Sequence, residues 1–485
     1  MSGSADKKTL RALLSGGGRH VGATLAGVVS FTVISRKLSE DALGAWALLG
    51  AAAFLIGLAD MGLTAVVQRA TVAKDDARAR RVLSLALLVL AVLLPIASIV
   101  SYLFLIDIDG AGPELRHEIR IAAVIVLLAG IIMGWFGPYR GYVFARGGVR
   151  DVARARTAGA IAQLVVTLAW FQFSTSLVVP ATGLLVSYIV EAAITLHAAR
   201  ALDKDLPLRP EWTSDPVERK ASFRVGAAAL AINLAVATAL RVDLFVLSSV
   251  ATLALVGQYG VAGRAVDLAY LLAKQATVAL MPSLGDPNER ARAVRIGTLV
   301  FSGVVLSGMT ALSIDGQALL IGWVGRVAEG DVPAIVLAVL GAAAMIMSLY
   351  EVSSSMVALG GKTGWEGAIP IIIGSATNLA ISIGLAWKFG VWAVAMSTVG
   401  GNAITFVFMW KRARDLLGWS VGQLMGVLTP SFLVLLASVA VATLLRSFSL
   451  HGMWQSIVAC TATMIAGGLV VAIFLRRGHR LGSAA

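Results

Sequence analysis

The sequence predicts an all-α polytopic membrane protein with about fourteen transmembrane helices. Of its 485 residues, 58% are hydrophobic and only 14% are charged, whereas soluble domains are nearer half apolar and a quarter charged. A transmembrane helix needs roughly 20 mainly apolar residues, and the chain contains fourteen such runs. They lie at about 18–35, 43–67, 82–106, 119–143, 157–173, 177–199, 225–249, 253–281, 294–314, 332–359, 368–387, 391–410, 424–445 and 453–475.

The distribution of basic residues predicts the orientation of these spans. The chain has 40 Lys and Arg against 27 Asp and Glu, a net charge of +13. In a soluble protein this excess would suggest nucleic acid as a partner. Here, 30 basic residues fall at the termini and in alternate loops, and only seven fall in the opposite loops. Because Lys and Arg concentrate on the cytoplasmic side, both termini are predicted to be cytoplasmic, and no nucleic-acid partner is expected.

The domain organisation follows from the longest polar connection, which is rich in proline and follows the sixth span. It predicts an N-terminal six-helix bundle at 1–200, a cytoplasmic linker at 201–224 and a C-terminal six-helix bundle at 225–410. Two additional transmembrane helices and a basic cytoplasmic tail complete the chain at 411–485. Internal repeats are typical of transporters, and a weak repeat pairs Gly44 with Gly257.

Two stretches carry a family resemblance. The first consists of VISRKL at 33–38, GAW at 44–46 and LADMGL at 58–63. The second consists of RVD at 241–243, VGQY at 256–259 and MP at 281–282. Together they resemble the Wzx-type polysaccharide and O-antigen flippases of the multidrug/oligosaccharidyl-lipid/polysaccharide exporter superfamily.

The resemblance implies a fold, a substrate and partners. The fold would be two six-helix bundles in a V-shaped alternating-access arrangement around a central cavity, in the bacterial cytoplasmic membrane. The substrate would be an undecaprenyl-pyrophosphate-linked oligosaccharide repeat unit for O-antigen, capsule or exopolysaccharide. A polysaccharide polymerase and glycosyltransferases would be partners, beside membrane lipids. No cofactor and no metal is expected.

Three basic residues lie deep inside predicted spans, at least seven residues from either end, namely Arg241, Arg264 and Lys274. Intramembrane charges are costly and usually face a bundle interior or a wet cavity. Charge-assisted bonds from Arg and Lys would suit a pyrophosphate, so all three are candidate substrate-binding cations of the cavity. Two structural interpretations stay open: Arg264 could pair with Asp267 three residues on, and Lys274 could extend towards the membrane surface.

Five acidic residues also lie inside predicted spans: Asp60, Glu191, Asp243, Asp267 and Glu351. Each is a candidate for coupling to a cation or for an ion pair. Asp60 could pair with Lys274 or Arg241, and Glu191 could anchor its helix at the interface. Serines surround Glu351, at 348 and 353–355, which suggests a hydrated helix face there.

Two other functions are weighed against the flippase. A cation-coupled multidrug exporter of the same superfamily is expected to have twelve spans and an acid-dominated cavity. A membrane-embedded polysaccharide polymerase is expected to carry a large external loop with catalytic acids or histidines, and the predicted external loops are short. The five histidines show no metal-ligand spacing, and the single cysteine excludes an internal disulfide. The sequence therefore gives no catalytic residues.

Overall fold

The structure is a computed structural model. It describes residues 21–57, 62–72, 75–106, 108, 111–210, 242–278, 289–360, 365–446 and 453–481, together with positions 220, 227, 231, 235, 280 and 284. In these ranges all regular secondary structure is helical, which confirms the predicted all-α class. Two compact units are present, an N-terminal unit within Gly22–Gly257 and a C-terminal unit within Gln258–Ala485. The predicted bundle boundaries remain a prediction.

The helices of the N-terminal unit follow each other with short connections. They are α1 (Val21–Lys37), α2 (Glu40–Gly57), α3 (Leu63–Val72), α4 (Asp76–Leu105), α5 (Pro113–Ala145), α6 (Val149–Trp170), α7 (Val178–Leu202) and the short α8 (Asp243–Ser248). Helix α5 is central, since it contacts α2, α3, α4, α6 and α7.

The helices of the C-terminal unit begin with α9 (Leu253–Val278), whose first residues belong to the N-terminal unit. The others are α10 (Arg290–Val324), α11 (Asp331–Gly360), α12 (Trp365–Phe389), α13 (Val391–Leu417), α14 (Val421–Arg446) and α15 (Met453–Leu481). Helix α11 packs on α10 and α13, and the two last helices pack on α10 and on each other.

Ten helices in the described ranges are long and apolar enough to cross a membrane. The predicted spans coincide with α1 to α7 and with α9 to α15. Of the predicted span 225–249, the structure describes α8 and a few isolated positions, so most of it lies outside the described residues. The prediction of a polytopic membrane protein is confirmed.

The second predicted span is wrong in one respect, because 43–67 is not one continuous helix. Helix α2 ends at Gly57, and α3 begins at Leu63. Gly62, directly before α3, has a φ of 69°. Only glycine adopts this left-handed conformation at little cost, so a helix cannot run through this position. An apolar run records burial in lipid and does not report such an interruption.

Several arginines that were assigned to loops lie within helices instead. Arg80 belongs to α4, Arg140 to α5 and Arg156 to α6. Hydropathy marks the part of a helix that lies in hydrocarbon, whereas these helices continue beyond their apolar segments. The basic residues therefore line helix ends rather than the turns between them.

The segment after α7 is held against the ends of α4 and α5. The Arg80 guanidinium donates two hydrogen bonds to the Asp203 carboxylate, at 2.8 and 2.7 Å. The Tyr139 hydroxyl donates to the Pro207 carbonyl oxygen at 2.6 Å, and Leu206 is buried. Burial raises the pKa of Asp203, but the hydrogen bonds from Arg80 and from the backbone N–H of Asp205 outweigh it, so this pKa lies below its usual value.

Candidate functional site

Helix α9 carries three of the predicted site residues on one face. Arg264, Asp267 and Lys274 all lie within its continuous helix. Because an α-helix turns by about 100° per residue, their positions fall within about 80° around the helix axis. Arg264 and Asp267 are half-buried. By register, two basic positions and one acidic position therefore fall on one face of α9, which is called the charged face below; the Lys274 side chain lies outside the described residues.

Glu351 lies on α11 and is joined to α9 by a hydrogen bond. The Tyr270 hydroxyl donates to Glu351 Oε2 at 2.7 Å, and only 8% of Glu351 is exposed. The Tyr270 ring also meets Phe301 of α10 edge-on, with 5.8 Å between the ring centroids. Tyr270 comes three residues after Asp267, so a buried acid lies beside the charged helix.

The surroundings of Glu351 differ from the hydrated face that its serines suggested. Ser348 and Ser353 are completely buried, whereas Ser354 and Ser355 are half-buried. The Ser348 hydroxyl donates to the Met345 carbonyl oxygen of its own helix. Small residues such as serine permit close packing between membrane helices, which fits the two buried serines. The environment of Glu351 is therefore a packed interior.

Further buried polar contacts connect α11 to α13. The Tyr350 hydroxyl donates to Asn402 Oδ1 at 2.7 Å, and the Asn402 amide donates to the Thr398 carbonyl oxygen at 2.8 Å. The Trp410 indole N–H donates to the Leu349 carbonyl oxygen at 3.0 Å. These bonds fix the turn of α11 that carries Glu351, because polar groups in the membrane interior must find protein partners.

Sequence reasoning missed Tyr270, Tyr350 and Asn402 as parts of this site. A signal was present, since tyrosines favour membrane interfaces while these two lie far from the ends of their helices. A tyrosine in the middle of a span needs a hydrogen-bond partner for its hydroxyl. Glu351 directly follows Tyr350 in sequence, but the tyrosine that donates to Glu351 is Tyr270 of another helix. Tyr350 donates to Asn402 instead.

Asp243 begins helix α8 and is also buried, with 5% exposure. Its neighbours Leu244 and Leu247 are buried with it, and α8 contacts α2. Asp243 thus belongs to the helix-packed interior of the N-terminal unit. Two other predicted site residues, Arg241 and Asp60, lie outside the described residues.

Glu191 lies on α7 and contacts two arginines. Its Oε1 accepts a hydrogen bond from Arg140 Nη1 of α5 at 3.0 Å and lies 3.8 Å from Arg156 Nε of α6. The Glu191 side chain is 15% exposed. Glu191 therefore lies within ion-pair distance of two arginines, and its role as a coupling or ion-pair acid stays a prediction.

A small cavity of about 10 Å³ adjoins this ion-pair cluster, between α5 and α7, with room for about one water molecule. Its lining combines apolar and polar side chains: Ile132, Met133, Phe136, Arg140, Tyr188, Glu191, Ala192 and Thr195. The cavity therefore has a charged end and an apolar wall.

The two glycines paired by the weak repeat, Gly44 and Gly257, pack against each other within the N-terminal unit. A side chain at Gly44 would collide with the Leu253 carbonyl oxygen, and a Cβ at Gly257 would lie 2.9 Å from the Glu40 carbonyl oxygen. The start of α9 thus meets the start of α2 backbone to backbone. Small residues permit this approach between membrane helices.

Among the described residues, no group of three or more His, Cys, Asp or Glu side chains could hold a metal ion.

Comparison with known proteins gives matches in structure but not in sequence. No protein-family model matches the chain, and no curated protein sequence matches it. The lipid II flippase MurJ, in an inward closed conformation, superposes with a TM-score of 0.72 at 13% identity, covering 96% of this chain and 99% of MurJ.

Two transporters of the MOP superfamily also match. An inward-facing multidrug resistance MATE family transporter gives a TM-score of 0.63 at 18% identity, covering 82% of this chain and 96% of its own. A transporter from Pyrococcus furiosus, described as having a binding pocket of reverse polarity, gives a TM-score of 0.61 at 17% identity. The match covers 84% of this chain and 96% of that transporter. The chain has the fold that a lipid II flippase and the MOP-superfamily exporters share.

Proposed function

We propose that the protein is a flippase for undecaprenyl-pyrophosphate-linked oligosaccharide repeat units. It would act in the bacterial cytoplasmic membrane, with both termini cytoplasmic, in O-antigen, capsule or exopolysaccharide synthesis. The main support is that this chain and a lipid II flippase share one fold over almost the whole length of each. The superposed MATE transporter leaves about a fifth of this chain uncovered.

The charged face of α9 supports an anionic substrate. A lipid-linked glycan combines a pyrophosphate, polar sugars and a lipid tail, so a carrier must keep the first two out of hydrocarbon. Arg264 and Lys274 would bind the phosphates by charge-assisted hydrogen bonds, with Arg241 as a third cation. Asp267 lies between Arg264 and Lys274 around the helix axis. Its negative charge reduces the net charge of the face, so that the phosphate would be bound weakly enough to be released.

The membrane potential supplies a driving force for this export. Moving one charge through 100 mV corresponds to about 2.3 kcal/mol, and a cytoplasm-negative potential favours the outward movement of an anion. A coupling ion is therefore not required on energetic grounds. In this proposal Asp267 and Glu351 adjust the charge and geometry of the site, Asp243 and Glu191 stabilise the helices that carry them, and Asp60 stays a candidate for coupling or for an ion pair.

Substitution of the cavity cations tests the proposal. Arg264→Ala and Arg241→Ala are expected to lower glycan export at least ten-fold, because a hydrogen bond to a charged group contributes about 1.5–3 kcal/mol. Arg412→Ala removes the same charge from an exposed position on α13 and is the matched control. Export is measured as surface polysaccharide at equal membrane abundance. Normal export by both cavity variants would contradict the assignment.

A cation-coupled multidrug exporter is the second candidate function, because the fold also matches a multidrug transporter and Glu351 is a buried acid. A deletion strain separates the two candidates. Lipid-linked repeat units that accumulate on the cytoplasmic leaflet support the flippase. Drug sensitivity without such accumulation, restored by the wild type but not by Glu351→Gln, supports the exporter. Accumulation of translocated but unpolymerised units would instead indicate a polymerase.

A further inference from the structure

A polar pocket of about 630 Å³ lies at one end of the N-terminal unit. Its walls come from the end of α1, the start of α2, the start of α5 and the connection between α6 and α7. The basic-residue pattern predicts that this end of the helices is external. The volume falls within the range of about 300–1,000 Å³ that is typical of small-molecule sites, so the pocket has room for a molecule the size of a disaccharide.

The charged side chains at the mouth of this pocket are not paired with each other. Lys37, Asp41 and Glu114 line the pocket and are exposed. In the described part of the chain, their side chains take part in no hydrogen bond or ion pair. Water therefore satisfies them, and a ligand with hydroxyl groups of its own can replace that water at little cost. The lysine and the two acids thus keep their hydrogen-bonding capacity for another molecule.

One wall of the polar pocket is held in place by Glu118. Its Oε2 accepts a hydrogen bond from the backbone N–H of Leu177 at 2.9 Å, directly before α7 begins. Leu177 is completely buried. This bond ties α5 to the start of α7, so the pocket is formed before any ligand arrives. A pre-formed site loses less conformational freedom on binding.

The charges of the pocket restrict the class of ligand. Its charged side chains are three carboxylates and one ammonium group: Asp41, Glu114, Glu118 and Lys37. With three negative charges and one positive charge, the pocket disfavours phosphates and acidic sugars. Among the described residues, the carboxylates form no group that could hold a metal ion. Dispersed acceptors, an ammonium donor and the hydroxyls of Ser39 and Thr175 instead match a molecule with many hydroxyl groups.

We propose that the polar pocket binds a glycan without acidic groups, as the external site for the sugar part of the substrate. This inference rests on the proposed function, which supplies a glycan at this face. Asp41 and Glu114 would accept hydrogen bonds from sugar hydroxyls, while Lys37 and Thr175 would donate to sugar oxygens. The pyrophosphate would stay outside the pocket because the carboxylates repel it. The cations of α9 and the acids of this pocket would thus serve opposite parts of one molecule.

Sugar binding by the full-length protein tests this site without any transport measurement. The protein is reconstituted in phosphatidylcholine nanodiscs, because many detergents carry sugars of their own, and binding is followed by saturation-transfer NMR. The probes are di-N-acetylchitobiose, which is neutral, and digalacturonic acid, which is negatively charged. We expect the neutral disaccharide to bind several-fold more tightly than the acidic one. Glu114→Ala should weaken its binding about ten-fold, as for the loss of a hydrogen bond to a charged group.

Two further variants control this experiment. Glu40 and Glu114 are both exposed acids in the first turn of a helix, but Glu40 is not part of the pocket lining, so Glu40→Ala should leave binding unchanged. Gly112→Leu adds a side chain at the pocket and changes no charge. A Cβ at Gly112 meets no atom within 4 Å, and its φ of −61° suits any residue. This variant should fold and should bind the neutral disaccharide several-fold more weakly.

The outcomes separate a glycan site from an ordinary charged surface. Binding that Glu114→Ala and Gly112→Leu weaken, and Glu40→Ala does not, supports the proposal. No binding of the neutral disaccharide by the wild type, or equal losses for Glu40→Ala and Glu114→Ala, would overturn it. Equally tight binding of digalacturonic acid would also overturn it, because the pocket charge would then select nothing.

The flippase proposal fails on a different observation, the absence of accumulated lipid-linked units in the deletion strain. If such units do not accumulate while the disaccharide still binds, the protein is not the flippase but the polar pocket remains a glycan site. If they accumulate while no disaccharide binds, the flippase proposal stands and the pocket assignment is wrong.

Discussion

Glu191 in the N-terminal unit and Glu351 in the C-terminal unit are both acids inside helical packing, but their surroundings differ. Glu191 contacts two arginines from two other helices. Glu351 is more deeply buried and accepts a hydrogen bond from a tyrosine hydroxyl. A guanidinium can only donate hydrogen bonds, whereas a hydroxyl donates and accepts. The contacts given for the first acid are with charged groups, while the contact given for the second is a hydrogen bond from a neutral hydroxyl.

This difference predicts which substitutions each acid tolerates. A charge balance fails when one member loses its charge, because the remaining charge stays in a poorly solvated place. A hydrogen-bond network tolerates a neutral residue of the same shape, because the bond survives. The four predictions below test this contrast by substitution.

The largest effect is expected for Glu191→Ala, which leaves Arg140 and Arg156 without their shared carboxylate. Removal of one partner from a fully buried ion pair costs about 3–5 kcal/mol, and the partial exposure of the arginines reduces this to about 2–3 kcal/mol. The free energy of unfolding in lipid-free detergent measures it. A loss below about 1 kcal/mol would mean that water solvates both arginines.

A smaller effect is expected for Tyr270→Phe, which removes the hydroxyl that donates to Glu351. A buried acceptor without its donor costs about 1–3 kcal/mol. Glu351→Gln is the matched variant, and it should cost less than about 1 kcal/mol because an amide oxygen still accepts the bond. The comparison uses the same unfolding measurement. A larger loss for Glu351→Gln than for Tyr270→Phe would show that the charge of Glu351, more than the hydrogen bond, stabilises α9 against α11.

The Arg80–Asp203 pair gives a pH-dependent effect near the membrane surface. Because the pKa of Asp203 is lowered in the folded protein, its stabilising contribution is present above the unfolded pKa of about 3.9. It is lost as the pH falls through the lower folded value. The difference in unfolding midpoint between wild type and Arg80→Gln should therefore be constant from pH 5 to 7 and shrink below about pH 4. A difference that does not change with pH would contradict the assigned pair.

The smallest effect is expected for Arg154→Gln, which removes an exposed pair with Asp151 on one helix. Such surface pairs contribute about 0.3–0.5 kcal/mol. Arg156→Gln makes the same charge change two residues further along α6. Comparison of the two variants therefore separates the effect of net charge from the effect of position. A loss as large as that of Glu191→Ala would show that overall charge, and not the local cluster, stabilises the N-terminal unit.

The sequence predicted the helices well because membrane spans depend on a single strong property. The apolar runs at 253–281 and 332–359 correspond closely to α9 and α11. The charged face of α9 could also be predicted, since the spacing of Arg264, Asp267 and Lys274 fixes their register once the helix is continuous. These features are local and need no knowledge of how helices pack.

The partners of the site residues could not be predicted, because they come from distant parts of the chain. Tyr270 and Glu351 are separated by 81 residues and Arg140 and Glu191 by 51. Arg140 and Arg156 were also counted with the loops, because they lie next to the ends of apolar runs, and such a run does not mark the end of its helix. For this reason the cluster in the N-terminal unit became visible only in the structure, although its acid was a candidate from the start.

The break between α2 and α3 has a consequence for the helix beside it. Where a helix is interrupted, backbone groups lose their partners along the chain, and at membrane depth such groups must face protein or water and not lipid. Here a Cβ at Gly141 of α5 would lie 3.0 Å from the Thr64 carbonyl oxygen. The absence of a side chain at Gly141 therefore lets α5 pack directly on the first turn of α3, and a larger residue at 141 would push the two helices apart.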